Sequence, residues 1–332
     1  MTAAVAGKHA PASGLAVLES RVVVTGAVRR YPGGRSVGPI DLDVRAGEVL
    51  ALMGSNGAGK STLLRLLASA DRSDAGRVTW WGDEHPQHAR RRIGYAADEP
   101  VEETTLSPRQ STYFWCRQWV ADPRRARRLT AETLASLGLG DRADEPVGTL
   151  SYGLRRRLAL AQALAHRPAL ALFDEPSAGL DPEGVEVVTA ALRSRAAAGQ
   201  TSVVASNDPE FVAGVADRVA MLHEGRCLRV APLPELLAEV PRRRIVELRV
   251  GDSGDGALTE ALAGRVASLG GVVLRSAAEG LVVAELEEDA ALSRLVAAAD
   301  SIGPGVRSLE VRRPDLRECF RALVGPVRED PS

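Results

Sequence analysis

The stretch Val49-Leu-Ala-Leu-Met-Gly54-Ser-Asn-Gly-Ala-Gly59-Lys-Ser-Thr62 joins an apolar run to a glycine-rich segment, and the leucine-rich residues 63–67 follow it. This order predicts a strand, a phosphate-binding loop and a helix. Glycines let backbone N–H groups curl around a triphosphate, and the positive end of the helix points at the same anion. The stretch therefore predicts a nucleotide site inside an α/β domain.

Two side chains of this loop have separate expected roles. Lys60 is expected to reach the terminal phosphate oxygens, and Ser61 to offer its hydroxyl to Mg²⁺. The residues predicted to bind the nucleotide are Gly54, Ser55, Asn56, Gly57, Ala58, Gly59, Lys60, Ser61 and Thr62.

The composition is that of a folded protein with two domains of ordinary size. Of the 332 residues, 45% are hydrophobic and 26% are charged, which allows packed cores. A formal net charge of -1 argues against a nucleic-acid binder that relies on bulk positive charge. No apolar run approaches the roughly 20 residues that span a bilayer, and scattered cysteines favour free thiols in a reducing cytosol. Any membrane role is therefore expected to come through a partner.

A second apolar run ends in two carboxylates. Residues 169–173 have the continuous apolar character of a buried parallel strand, and Asp174 and Glu175 follow. Parallel strands present their carboxyl ends at one edge of a sheet. With the phosphate loop upstream, Asp174 is predicted to hold Mg²⁺ and Glu175 to orient or deprotonate a water.

Two features of the middle of the chain leave alternatives open. Ser151, Tyr152 and Gly153 precede a predicted helix over 154–166, and such a helix start is a second possible anion site. Upstream lies an aromatic-rich helix, whose rings either fill a small local core or line a groove for a partner. These rings are Tyr113, Phe114, Trp115 and Trp119.

The predicted domains follow from the order of strand and helix patterns. Beyond a proline- and arginine-rich stretch, a β-α-β-β-α-β pattern predicts a ferredoxin-like fold. The first twenty residues lack the basic start and apolar core of a secretion signal. We predict a flexible tail (1–20), a nucleotide-binding domain (21–231) with a helical insertion (about 100–167), a linker (232–244), an accessory domain (245–324) and a tail (325–332).

In this order, the segments 54–62, 150–153, 174–175 and 179–181 resemble the motifs of an ATP-binding-cassette (ABC) transporter's nucleotide-binding domain. The C-terminal region is similar to the appended domain of ATPase subunits in bacterial drug-exporter-type systems. The resemblance implies an α/β fold: a P-loop NTPase parallel-sheet core with an antiparallel β subdomain and a helical insertion. A small ferredoxin-like α+β domain follows it.

The resemblance also implies roles for residues that spacing leaves undefined. ATP and Mg²⁺ would bind between two nucleotide-binding domains in a homodimer or heterodimer, with Ser151, Tyr152 and Gly153 contacting ATP across the interface. Tyr31 resembles the adenine-stacking aromatic, and Asp181 the residue that couples the two sites. The helical insertion would receive a helix of a separate integral membrane permease. The protein would then be cytoplasmic and peripheral on the inner face of the cell membrane.

Two departures from the family pattern concern the reacting end of the site. Asp98 stands where the family usually has a glutamine that touches Mg²⁺ and the attacking water, so it must ligate Mg²⁺, take a proton or swing away. Asn207 replaces a histidine that contacts the γ-phosphate, a loss on the order of one to three kcal/mol of transition-state stabilisation. Tyr152 and Leu154 replace a glycine and a glutamine, which is a milder change.

The predicted function is that of an ATP-hydrolysing subunit that drives a separate permease of an exporter through ATP-dependent dimer closure. Glu175, Asn207 and Asp98 are the candidate catalytic residues, and Ser61, Asp174 and Asp98 the candidate metal ligands. Hydrolysis is expected to be weakened by Asp98 and Asn207. One alternative is a nucleotide-sensing regulator that does not hydrolyse ATP. Another is a soluble ABC ATPase acting on nucleic acid or ribosomes, which the single phosphate loop and the lack of sustained heptads disfavour.

Overall fold

The protein consists of two compact units, and the boundary between them falls between Leu233 and Pro234. The computed structural model describes residues 20–83, 85–98, 103–239, 243–251, 256–278, 280–287, 290–301, 305–312 and 315–324. The predicted tails lie outside these ranges, apart from Ser20.

The strands of the first unit are β1 (Ser20–Arg30), β2 (Ser36–Arg45), β3 (Val49–Met53), β4 (Ala75–Trp80), β5 (Ile93–Ala96), β6 (Leu170–Asp174), β7 (Thr201–Ala205), β8 (Arg218–His223) and β9 (Arg226–Pro232). Its helices are α1 (Lys60–Leu67), α2 (Pro86–Arg90), α3 (Pro108–Arg117), α4 (Pro123–Ser136), α5 (Tyr152–Leu164), α6 (Pro182–Ala197) and α7 (Pro209–Val215), with a short 3₁₀ turn at Val147–Thr149.

A six-stranded sheet with the order β5-β6-β7-β3-β8-β9 forms the centre of the first unit. Neighbouring strands from β5 to β8 pair in parallel, and β9 is antiparallel to β8. All five residues of each of β3, β6 and β7 are buried, as expected of parallel strands covered on both faces. The register places Leu52 and Asp174 each opposite Ala205. Three strands therefore end at the same level of the sheet edge.

A smaller antiparallel sheet, with the order β2-β1-β4, packs on the other side of α1. Strand β2 alternates buried and exposed residues over much of its length, which is typical of a sheet with one covered face. Ile40, Leu63 and Leu66 lie in the shared core. The indole N–H of Trp80 donates to the Leu67 carbonyl oxygen at 2.7 Å, which ties β4 to the end of α1.

Helices α3, α4 and α5 form a helical segment with its own small apolar cluster. Cys116, Val120 and Leu129 are buried in it, and Tyr113 packs against it. The other rings stay at the surface: in α3, Phe114 is 56% exposed and Trp115 48%. Trp119, which was predicted in the same helix, lies beyond the end of α3 and is 44% exposed. A local core accounts for Tyr113 only, because the helix turns its remaining rings to the solvent side.

The second unit is a ferredoxin-like domain. Its elements are α8 (Leu233–Glu239), whose first residue belongs to the first unit, β10 (Ile245–Val250), α9 (Ala257–Ala267), β11 (Val272–Ala278), β12 (Leu281–Leu286), α10 (Ala291–Asp300), β13 (Val306–Arg312) and α11 (Leu316–Val324). The strands pair antiparallel in the order β11-β12-β10-β13. Leu248, Val282, Leu262 and Leu295 meet in the core between the sheet and the helices α9 and α10. This domain is the α+β part of the fold predicted above.

The structure differs from the predicted linker over 232–244. Leu233 to Glu239 form the helix α8, and Leu236 is fully buried there. The thiol of Cys319 in α11 donates to the Leu236 carbonyl oxygen at 3.1 Å, so α8 packs with the C-terminal helix. A helix this short is not stable by itself in water, so it depends on packing of this kind.

Candidate nucleotide site

A cleft of about 810 Å³ lies where β3, β6 and β7 end. It is lined by Tyr31, Pro32, Arg35, Ser36, Val37, Asn56, Gly57, Ala58, Gly59, Lys60, Ser61, Thr62, Asp98, Asp174, Glu175, Glu224 and Gly225. Most of the residues predicted to bind nucleotide therefore line one cleft. Gly54 and Ser55 are not among the lining residues, but they directly precede Asn56 in the loop.

The glycine-rich loop packs tightly against β8, the strand next to β3 in the sheet. A Cβ atom on Gly54 would lie 2.1 Å from the Leu222 carbonyl oxygen, so a side chain is excluded there. The loop leads into α1, whose first residue is Lys60. Free N–H groups at this helix start are the donors that an anionic phosphate requires.

The Lys60 ammonium is buried and surrounded by acceptors. It donates to the Gly54 carbonyl oxygen at 2.7 Å and to Asn207 Oδ1 at 2.5 Å. Its Nζ also lies 3.7 Å from Glu175 Oε1. Burial lowers the pKa of Lys60, and the charges of Glu175 and Asp174 oppose that shift. The lysine thus connects the phosphate loop to Glu175 after β6 and to Asn207 after β7.

Asn207 bridges the same elements from the end of β7. Its backbone N–H donates to Glu175 Oε2 at 3.3 Å, and its Nδ2 donates to Asn56 Oδ1 at 2.6 Å. The side-chain oxygen of Asn207 therefore accepts from Lys60, and its side-chain nitrogen donates to the phosphate loop. An amide can satisfy both neighbours at once because it carries a donor and an acceptor on one planar group.

Asp174 has the features of a residue that holds a cation. It is buried, and its Oδ1 has no hydrogen-bond partner among the described residues. Burial raises the pKa of Asp174, a hydrogen bond from Ser61 opposes that rise, and the charge of Asp98 adds to it. An unpartnered buried carboxylate oxygen is costly unless a ligand completes it. Asp174 and Ser61 therefore fit Mg²⁺, which prefers a few protein oxygens beside phosphate and water.

Glu175 follows directly in an uncommon backbone conformation. Its φ is 46°, in the left-handed region that non-glycine residues rarely occupy. Burial raises the pKa of Glu175, and the nearby Lys60 lowers it. A carboxylate with a raised pKa beside the phosphate loop suits a residue that orients or deprotonates water.

Asp98 forms an ion pair with Arg156, a residue whose role the sequence does not indicate. Arg156 Nη2 donates to Asp98 Oδ1 at 2.9 Å. The Asp98 side chain is 55% exposed, whereas that of Arg156 is 2% exposed. By sequence, the arginines 155–157 are compatible with a solvated helix face or with phosphate contact, but Arg156 is buried and does not line the cleft. Only tertiary contact distinguishes it from its neighbours, because three successive arginines look alike in the sequence.

Tyr31 lies at the mouth of the cleft, anchored by its hydroxyl. The hydroxyl contacts Thr62 Oγ1 at 2.9 Å and accepts from Arg65 Nη2 at 2.9 Å. The guanidinium of Arg29 lies 5.5 Å from the ring centroid. Anchoring at one end limits ring rotation, so the aromatic face has a defined position beside the phosphate loop. Stacking on a base stays a prediction.

Ser151, Tyr152 and Gly153 lie apart from this cleft, at the start of α5. The Ser151 hydroxyl caps the helix by accepting from the Leu154 N–H at 3.3 Å. Tyr152 is 54% exposed, and its ring packs on Gly179, where a Cβ atom would lie 2.4 Å from the ring. Asp181 caps α6 through the Gly184 N–H at 2.8 Å. The start of α5 at Tyr152 and the loop that runs from Gly179 to Asp181 therefore form one continuous surface.

Comparison with known proteins agrees with this geometry. Residues 37–178 match the ABC transporter family. The chain is 32% identical over 322 residues to the daunorubicin/doxorubicin resistance ATP-binding protein DrrA of Streptomyces peucetius, covering 94% of each. The chain belongs to the ATP-binding proteins of ABC transporters. Because the alignment covers 94% of the chain, it extends over both units.

Other relatives support the same assignment. The linearmycin resistance ATP-binding protein LnrL of Bacillus subtilis (strain 168) is 26% identical over 294 residues, which cover 88% of this chain and 94% of LnrL. The structure of cbiO1 from Clostridium perfringens has a TM-score of 0.60 at 27% identity, over 67% of this chain and 92% of that one. An ABC transporter ATP-binding subunit of 22% identity has a TM-score of 0.61, over 66% of this chain and 93% of that one, and shares the fold.

Membership in this family makes the protein an ATPase that uses ATP and Mg²⁺. The predicted fold and family are confirmed. None of the described helices is long and apolar enough to cross a membrane. The described residues also contain no group of three or more His, Cys, Asp or Glu side chains that could cage a metal. A site with few protein ligands, such as Asp174 and Ser61, is consistent with Mg²⁺ that arrives with the nucleotide.

Replacing Lys60 tests the centre of the cleft. We expect Lys60→Ala to weaken ATP binding by about 100-fold or more, because it removes a buried cation from the phosphate position. Equilibrium binding of ATP measures the effect. Arg65→Ala is the control, since Arg65 contacts Tyr31 and Thr62 at the rim, and its loss should cost far less affinity. An unchanged affinity in Lys60→Ala would contradict the assignment of the loop.

The raised pKa of Glu175 predicts how hydrolysis depends on pH. Water activation needs the ionised carboxylate, so kcat/KM should fall on acidification at a higher pH than an exposed glutamate would give. The pH profile of the free enzyme's kcat/KM measures this limb. Glu175→Gln should retain ATP binding but lose hydrolysis at every pH. A profile that stays flat down to the ordinary range of carboxylates would refute the prediction.

Proposed function

We propose that this chain is the ATP-hydrolysing subunit of an exporter that acts with a separate membrane permease. The resistance proteins DrrA and LnrL, which it resembles over most of its length, support this proposal. The observation that carries it is the cleft in which Lys60 joins the phosphate loop to Glu175 and Asn207. The transported molecule would be recognised by the permease, since the residues that line the cleft suit a nucleotide's phosphates.

A head-to-tail dimer would complete the nucleotide site. Ser151 and Tyr152 are exposed at the start of α5, where free helix N–H groups can face an anion supplied by another copy. The contact of Tyr152 with Gly179 connects this surface to the loop before Asp181. Movement of the two copies as the dimer closes on ATP would then be transmitted to Asp181 through the contact of Tyr152 with Gly179. A homodimer and a heterodimer are both compatible with this arrangement.

The exposed rings of α3, together with Trp119 just beyond its end, are the proposed docking surface for a permease helix. Phe114, Trp115 and Trp119 leave large apolar areas in water, and such rings are enriched where one protein anchors another. Phe114 and Trp115 pack edge to face with centroids 5.7 Å apart, which keeps the two rings as a single apolar surface. Docking there would place the protein on the inner face of the membrane.

Weak hydrolysis is the second part of the proposal. Asn207 supplies a neutral amide, already engaged with Lys60 and Asn56, where a histidine could supply a cation. Burial raises the pKa of both Asp174 and Glu175, and the negative charge of Asp98 adds to that rise. Both effects reduce stabilisation of a transition state that is itself anionic. A regulator that binds ATP without hydrolysing it is the limiting case, and Glu175 in the cleft argues against it.

Restoring the histidine tests this second part. We expect Asn207→His to raise kcat by about tenfold, since one added donor contributes one to three kcal/mol or so at a phosphoryl-transfer site. Steady-state hydrolysis by the purified subunit measures the change, and Asn207→Ala serves as the control that lowers turnover. A wild-type rate already typical of fast ATPases and unaffected by Asn207→His would refute weakened hydrolysis.

Purification from membranes tests the partner. Under gentle extraction, the full chain should retain a multi-span membrane protein. A Trp115→Ala/Trp119→Ala variant should lose it while its ATP affinity stays within about threefold, because both rings lie outside the cleft. Leu228→Ala, which removes an exposed apolar side chain elsewhere, is the matched control. A chain that stays alone in every extract would contradict the exporter proposal.

A further inference from the structure

The guanidinium of Arg156 is buried behind the carboxylates of the cleft. Arg156 lies one turn into α5, and its side chain is 2% exposed. It is not among the residues that line the cleft. It donates to backbone carbonyl oxygens on two segments and to the Asp98 carboxylate.

One set of contacts holds the backbone that carries Glu175. Nη2 donates to the Asp174 carbonyl oxygen at 2.5 Å, and Nε donates to the Glu175 carbonyl oxygen at 3.1 Å. These carbonyls belong to the two peptides on either side of the Glu175 Cα, where φ is 46° and left-handed. An uncommon conformation of this kind persists only where surrounding contacts determine it. Arg156 supplies such contacts from a different element.

A second set of contacts holds the segment after β5. Nη1 donates to the Ala97 carbonyl oxygen at 3.3 Å and to the carbonyl oxygen of Asp98. Nη2 lies 2.9 Å from Asp98 Oδ1. The planar guanidinium has five donors in a fixed arrangement, so it can hold both segments at once. A lysine, with a single nitrogen, cannot reproduce this geometry.

The ion pair also limits a repulsion within the site. Asp98 lines the cleft with Asp174 and Glu175, and three carboxylates in one cleft repel one another and any phosphate. A buried cation beside Asp98 offsets part of its charge. Without Arg156, the Asp98 carboxylate would act on its neighbours with less compensation.

We propose that Arg156 is a positioning residue for ATP hydrolysis: it fixes the backbone that presents Glu175 and neutralises Asp98, and so links the start of α5 to both catalytic segments. Tyr152 and Arg156 are four residues apart and share a face of the helix. A displacement at the exposed start of α5 therefore reaches Glu175 and Asp98 through one side chain. The inference rests on the ATPase reaction and holds whether that reaction is fast or slow.

Hydrogen exchange of the full-length protein, without nucleotide, gives the first test. In Arg156→Gln, peptides covering 93–98 and 174–178 should exchange about tenfold faster, because their carbonyls lose a buried donor. Arg156→Lys should give an intermediate rate and preserve folding if the glutamine variant does not. Arg157→Gln is the matched control, since Arg157 donates to the Leu137 carbonyl oxygen within the helical segment. It should leave both peptides unchanged.

A double-mutant cycle with Asp98 gives the second test. Arg156→Gln should lower kcat about tenfold and change the affinity for ATP, measured without Mg²⁺, by less than about threefold. In the Asp98→Gln background the same substitution should lower kcat only about threefold or less, because the unpaired anion is gone. A separation of kcat from nucleotide affinity together with this coupling is not expected of a merely structural residue.

Two results would overturn the proposal. An equal loss of kcat from Arg156→Gln in both backgrounds would show that Asp98 is not its functional partner. Unchanged exchange at 93–98 and 174–178 would show that the contacts do not hold these segments. A fast wild-type ATPase would refute weakened hydrolysis but leave both tests of Arg156 interpretable.

Discussion

Everything in the nucleotide site depends on three buried parallel strands that end at one edge of the sheet. The register sets Leu52 and Asp174 opposite Ala205, so the residues that follow these strands meet within reach of one side chain. Lys60 occupies that point, bonded to Gly54 and Asn207 and 3.7 Å from Glu175. A buried ammonium is tolerated only where acceptors surround it, and the strand ends supply them.

The electrostatics of the cleft are unfavourable without a ligand, and this is what suits it to one. Burial raises the pKa of Asp174 and Glu175 and lowers that of Lys60, so each group lacks some of the solvation it would have in water. Asp174 also keeps an unpartnered oxygen. Nucleotide phosphates and a cation supply the missing charges. Binding them removes the unfavourable electrostatic free energy of the empty site, and this contributes to their affinity.

Much of the site could be read from the sequence because its motifs are local. The phosphate loop needs glycines and a lysine in one continuous stretch, and Asp174 and Glu175 follow an unbroken apolar strand. The departures at Asp98 and Asn207 were visible for the same reason. Other features were missed or left open: the buried place of Arg156, the exposed rings of Phe114 and Trp115, and the helix at 233–239. Each depends on which face of an element another element covers.

By itself, the sequence determined an α/β domain with a nucleotide site and predicted the residues of its phosphate loop, because short-range backbone chemistry dictates those features. Only the tertiary structure decided how Asp98 is accommodated. Of three adjacent arginines at the start of α5, the fold buries Arg156 against the carbonyls of Asp174 and Glu175 and pairs it with Asp98. That choice depends on which face of α5 packs against β5 and β6. Packing between segments distant in sequence sets this, and no local pattern encodes it.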